Sequence, residues 1–153
     1  MTKNTITPSA QAEVARNWQI TLVADGGYKL SDIIPAYGSY SVIREGRVVV
    51  NNKTGFPTML TANQAEIGII GWALRDLADK IVTAGKAVPA DVSVVVKTDS
   101  QLAQGYFRKE KPFVRKQPEL VRLAARADEI IAQFKSVEFV KVDGAWVKRR
   151  LGH

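Results

Sequence analysis

Val94-Val95-Val96-Lys97-Thr98-Asp99-Ser100-Gln101 stands in the chain's second half and anchors the rest of it. Three consecutive valines predict a buried strand, and the run ends in a carboxylate. Open α/β sheets collect their ligand sites at that end of the strands, so Asp99 sits where chemistry is expected. Asp99 or Ser100 could equally cap a helix that starts at Gln101, a common use of these residue types. The choice between the two readings turns on which other groups converge there.

Upstream, residues 18–24 alternate and are β-rich. They run into Asp25-Gly26-Gly27, a carboxylate followed by glycines that permit a tight turn. Residues 37–43 and 47–50 read as two more strands, with Glu45-Gly46 as a hairpin turn between them. Three strands this close in sequence predict an antiparallel meander. Thr61 and Gln64 then form a T-x-x-Q capping pattern. Ile67, Ile70, Leu74, Leu77 and Ile81 follow at helical spacing and should face the sheet. Glu66 falls in the first turn, on the side that leads toward the sheet, where a carboxylate also suits the helix dipole.

Downstream of the valine strand, a short helix is expected from Gln101 to about Arg108. A basic loop with interleaved apolar residues follows, through Lys109, Lys111, Arg115 and Lys116. Pro118 suits the first position of a second helix, with Leu120, Leu123, Ala127, Ile130 and Phe134 as its buried stripe. Residues 137–142 read as a fifth strand and residues 146–153 as a basic tail. The order β-β-β-α-β-α-α-β predicts an α/β fold with a mixed sheet. Right-handed crossovers place its first and fourth strands side by side at the centre. Asp25 and Asp99 then lie at neighbouring strand ends, and Glu66 approaches from the first helix.

Composition narrows the chemistry. The 153 residues suit one domain with a sizeable core, residues 17–153, preceded by a loosely held arm over residues 1–16. No cysteine is present and His153 is the only histidine, which excludes thiolate and multi-histidine metal sites. A metal held by the remaining donors must be a hard cation on carboxylates, Mg2+ or Mn2+. The excess of 22 Lys and Arg over 15 Asp and Glu, a net charge of +7, favours a polyanionic partner, although a solvated basic surface has the same composition. No apolar run is long enough for a membrane span, and the first residues lack a signal-peptide core, so a cytoplasmic protein is expected.

Ala24-Asp25-Gly26-Gly27, Thr61-Ala62-Asn63-Gln64-Ala65-Glu66 and Thr98-Asp99-Ser100-Gln101 together resemble the type 1 ribonuclease H family. That family carries T-D-G-S, T-N-N-R-x-E and T-D-S-x-Y in this order and at similar separations. The resemblance covers about residues 18–142. It implies a five-stranded mixed sheet flanked by helices, and a two-metal site that cuts the RNA strand of an RNA/DNA hybrid. Asp25 would bridge both cations, about 4 Å apart, and Glu66 and Asp99 would hold one of them. Asn63 would contact the ribose 2′-hydroxyl, the group that distinguishes RNA from DNA. Gly26, Gln64 and Ser100 flank the site, and Arg108, Lys109, Lys111, Arg115 and Lys116 lie where some members carry a basic substrate-binding element.

The family's fourth carboxylate stands on a helix beyond the fifth strand, after a loop histidine. That helix and carboxylate are expected to be missing here, which implies a truncated domain and a weakened metal site. Asp143, the terminal carboxylate of His153, or a second chain could stand in, and His153 could match the loop histidine. Asp143-Gly144 also reads as an ordinary turn. Two other functions stay open: a non-catalytic nucleic-acid-binding module of the same fold, or a nuclease of that fold acting on another nucleic acid.

Overall fold

A computed structural model describes residues 18–110 and 117–151. The strands are β1 (Trp18–Tyr28), β2 (Ala36–Arg44), β3 (Arg47–Gly55), β4 (Val92–Thr98) and β5 (Ser136–Lys141). The helices are α1 (Ala62–Ala84), α2 (Gln101–Arg108), α3 (Pro118–Ile131) and α4 (Gly144–Leu151), with a 3-10 turn over Pro89–Asp91 before β4. The strands form one sheet in the order β3-β2-β1-β4-β5. The β1–β2 and β2–β3 pairs are antiparallel, and β1–β4 and β4–β5 are parallel. The expected meander and the central β1–β4 pair are both present.

Alternation sorts the two faces of the sheet. Ile20, Leu22, Ala24, Tyr40, Val42, Val94 and Val96 enter the main core beneath α1. The predicted stripe Ile67, Ile70, Leu74, Leu77 and Ile81 is buried against them. Buried Tyr40 donates its hydroxyl hydrogen bond to Asp76 on α1 and packs edge-on against Trp72, with ring centroids 5.7 Å apart. Gly85, at φ 73, ends α1 by donating to the Ile81 and Val82 carbonyls.

The elements depart from the sequence reading in four places. β1 continues through Gly26 and Gly27 to Tyr28, paired with β2 throughout, so those glycines make no turn. β3 runs to Gly55 rather than Val50; its second half, Asn51 to Thr54, is a polar strand at the sheet edge and lacks the apolar alternation that would mark it. The second long helix stops at Ile131, and Phe134 is buried from the loop beyond it. Finally, a helix does follow β5: residues 144–151 form α4 where the sequence reads as a basic tail. Val147 and Leu151 make a second small core with Val23, on the sheet face opposite α1. Eight residues rarely hold a helix unaided, and burial of this pair supplies what intrinsic propensity does not.

No helix among the described residues is long and apolar enough to cross a membrane. The arm over residues 1–16, Lys111, Arg115, Lys116 and His153 lie outside the described residues.

Candidate active site

The site grows from the register of β1. Val23 pairs with Lys97 on β4, so two residues further on Asp25, still within β1, lies level with Asp99 just past the end of β4. On the other side Asp25 faces buried Ser39 of β2. The helix after β4 is capped by Ser100, whose Oγ accepts from the Ala103 N–H at 3.0 Å, while the Ser100 N–H donates to Thr98 Oγ1 at 3.1 Å. The capping role therefore falls to Ser100, and the Asp99 carboxylate is left to the site. We expect Ser100→Ala to cost about 1 kcal/mol, a fall of about 2–4 °C in Tm for a chain of this size. Thermal unfolding checks this; a loss of activity without that fall would assign Ser100 to substrate instead.

Glu66 arrives through a close backbone contact. A Cβ on Gly26 would lie 2.3 Å from the Ala65 carbonyl oxygen and 2.8 Å from the Glu66 nitrogen, so only glycine lets α1 sit this near β1. α1 begins at Ala62, which places Glu66 at the start of its second turn rather than in its first. The cap is shifted as well: Gln64 N–H donates to Thr61 Oγ1 at 3.1 Å, and Gln64 Oε1 accepts from the Leu60 N–H at 2.7 Å. Gln64 is thus engaged in holding the helix start, and Asn63 is exposed on that first turn.

Crowding of these carboxyls shows in their electrostatics. Burial, then the charges of Asp99 and Glu66 and a hydrogen bond with Asp99, push the Asp25 carboxyl up to about 6, against an opposing pull from Lys148. Burial and the charges of Asp25 and Asp32 also raise the Tyr37 hydroxyl above its usual value. Three hard oxygen donors suit a divalent cation in type. Among the described residues, however, no three acidic or histidine side chains are gathered closely enough to form a ready-made metal cage. What the structure presents is Asp25 with Asp99 and Glu66 near enough for their charges to act on it.

The far side is closed by α4. Val142 N–H donates to the Thr98 carbonyl at 2.9 Å, which brings the start of α4 beside Asp99. A Cβ on Gly144 would lie 2.9 Å from Asp99 Oδ2. Asp143 spends one carboxylate oxygen on this helix start, accepting from the Ala145 N–H at 3.2 Å. No carboxylate is carried on α4 itself; Lys148 stands on it instead. Lys148, Tyr37 and Ser39 were not legible as site residues, because only strand register and the roll of α4 bring them to Asp25. The one available signal was the clustering of Lys148, Arg149 and Arg150 directly after the fifth strand.

The two basic candidates among the described residues, Arg108 and Lys109, lie apart from this cluster. They stand at the far end of α2, about 10 Å along the helix from Gln101 at 1.5 Å per residue. Arg108 faces Glu110, with Nε 3.6 Å from Oε2, both side chains about half exposed.

No protein-family model matches the chain, and no curated protein matches it in sequence. Solved structures do match it in shape. The ribonuclease H1 of the halophilic archaeon Halobacterium salinarum superposes with a TM-score of 0.69 at 22% identity, over 86% of this chain and 90% of that one. LC11-RNase H1, from a compost metagenome and solved with an RNA/DNA hybrid, gives 0.69 at 23% identity over 85% and 89%. The N-terminal RNase H domain of a Mycobacterium tuberculosis protein gives 0.66 at 22% over 86% and 89%. With its strand order, its mixed pairing and its helices all accounted for, the chain has the ribonuclease H fold.

Proposed function

We propose that this protein is a divalent-metal-dependent endoribonuclease that cleaves the RNA strand of RNA/DNA hybrids. The observation that supports this reading is the raised Asp25 carboxyl on β1, on which the charges of Asp99 after β4 and of Glu66 on α1 both act. The net charge of +7 supports a nucleic-acid partner, and a structure of the same fold has been solved with a hybrid.

A divalent cation bound there supplies an activated water and stabilises the leaving oxygen. The chain's own part is to hold and to recognise. Asp25 and Asp99 would hold the cation, and Glu66 would add a third oxygen donor from α1. Asn63, exposed at the helix start, is placed to meet a ribose 2′-hydroxyl. Arg108 and Lys109, with Lys111, Arg115 and Lys116, supply phosphate contacts further along the duplex.

Cleavage of labelled hybrid, duplex RNA and duplex DNA, with and without Mg2+ or Mn2+, tests this reading. The RNA strand of the hybrid should be cut only when metal is present. Asn63→Ala should lower the preference for hybrid over DNA about tenfold, the worth of one hydrogen bond; equal losses on both substrates would remove that role. The absence of a carboxylate on α4 favours one second reading, a binding module of the same fold. Tight hybrid binding without cleavage at any metal concentration would establish it, and preferential cutting of another nucleic acid would redirect the substrate.

A further inference from the structure

α1, α3 and the loop from β3 to α1 enclose a groove of about 240 Å3. Small residues shape its floor. A Cβ on Gly68 would run into Met59, and one on Gly71 would lie 3.2 Å from Ala127 Cβ. Met59, Trp72, Leu123 and Ile130 line the groove, each half-buried, while Arg75 and Arg126 stand exposed on its α1 and α3 walls. Past Met59 and Leu123 it continues into a second hollow of about 320 Å3, where Arg122 adds a third guanidinium.

Among the described residues none of these arginines makes an ion pair or a side-chain hydrogen bond, and Glu119, the one acid lining either hollow, reaches none of them. Arg122 and Arg126 stand four residues apart on α3, a like-charge pairing that destabilises a helix. An acidic ligand would relieve it. Residues 111–116 carry Lys111, Arg115 and Lys116 and no acid, and residues 1–17 carry Lys3 and Arg16 against Glu13, so neither segment complements the groove. A second copy, at net charge +7, is repelled as a whole. A phosphate backbone would answer the guanidiniums but leave the apolar lining uncovered. Tryptophan, methionine and arginine are the residue types that protein interfaces concentrate. We propose that the groove docks an acidic peptide segment of a partner protein, with carboxylates on Arg75, Arg122 and Arg126 and an apolar side chain between Trp72, Leu123 and Ile130. Arg75 lies nine residues beyond Glu66 on α1, about 14 Å at 1.5 Å per residue, so docking there requires no bound metal.

Fluorescence anisotropy on the full chain, without metal or nucleic acid, tests this with a labelled decapeptide of aspartate and glutamate around a central leucine–phenylalanine pair. The parent should bind it with a Kd in the micromolar range. Arg75→Glu and Arg126→Glu should each raise Kd about tenfold or more, the worth of a charge-assisted hydrogen bond. Both side chains are exposed, so the variants should keep the parental Tm. Binding should also move the Trp72 indole N–H resonance, identified by its loss in Trp72→Phe. No binding, an unmoved Trp72 resonance, or equal binding of a peptide with alanine in place of the apolar pair would overturn the proposal. So would displacement by an oligonucleotide that loses affinity in the same variants, which assigns the groove to nucleic acid, or a parental dimer that those variants dissolve, which assigns it to a second copy.

Discussion

Asp25→Asn should reduce cleavage of the hybrid about a thousandfold while making the metal-free protein more stable at pH 8. Losing a metal-holding charge removes several kcal/mol of transition-state stabilisation, and each 1.4 kcal/mol is a decade in rate. The gain in stability follows from the raised Asp25 carboxyl. Its folded-state value of about 6 stands above its ordinary 3.8, so the fold favours the protonated form. Between those two values the unfolded chain gives up the proton first, and stability falls as pH rises. Above about 6 the full penalty is in place, and asparagine escapes it. The carboxyl is partly exposed and screened, so we expect about 1 kcal/mol, a rise of about 2–4 °C in Tm. Thermal unfolding in chelator at pH 8 and pH 3 checks this: the gain should be present at pH 8 and absent at pH 3. A variant that keeps near-parental turnover, or is no more stable at pH 8, would separate Asp25 from the cluster.

Gly26→Ala is expected to have the largest effect of a single methyl group in this protein. The added Cβ would meet backbone atoms of Ala65 and Glu66 at 2.3 to 2.8 Å, and backbone cannot rotate aside as a side chain can. The φ of Gly26 is not in the positive region, so alanine is excluded by space and not by conformation. Overpacking of this kind costs about 3 kcal/mol, a fall of roughly 6–12 °C in Tm. Because α1 must move off β1, Glu66 moves with it, and a displacement near 1 Å should cost about a hundredfold in cleavage. Unfolding and cleavage measured on the same preparation test both halves. An unchanged Tm would show that β1 and α1 tolerate the methyl, and would remove the reason given for glycine there.

The candidate carboxylates were legible because each follows a local signature of composition, although Asp25 lies inside β1 and Glu66 in the second turn of α1. Asp25 ends an alternating run, Asp99 ends a valine run, and Glu66 follows a capping pattern. The central pairing of β1 with β4 followed from crossover handedness alone. What escaped was whatever depended on a distance between elements. Gly26 and Gly27 look like a turn because glycine permits one, yet Gly26 is needed for the approach of a helix backbone. Thr61 and Gln64 mark a helix start correctly, but the glutamine reaches Leu60 rather than the cap residue itself.

The mixed sheet and the order of its elements as far as β5 are encoded locally, because period-two and helical hydrophobic patterns are properties of short segments. That residues 144–151 form a helix is a matter of packing. Their own propensity is weak, and the helix is held by Val147 and Leu151 closing over Val23. No local pattern encodes that packing, since it depends on how a short helix rolls against β1, more than a hundred residues away in the chain.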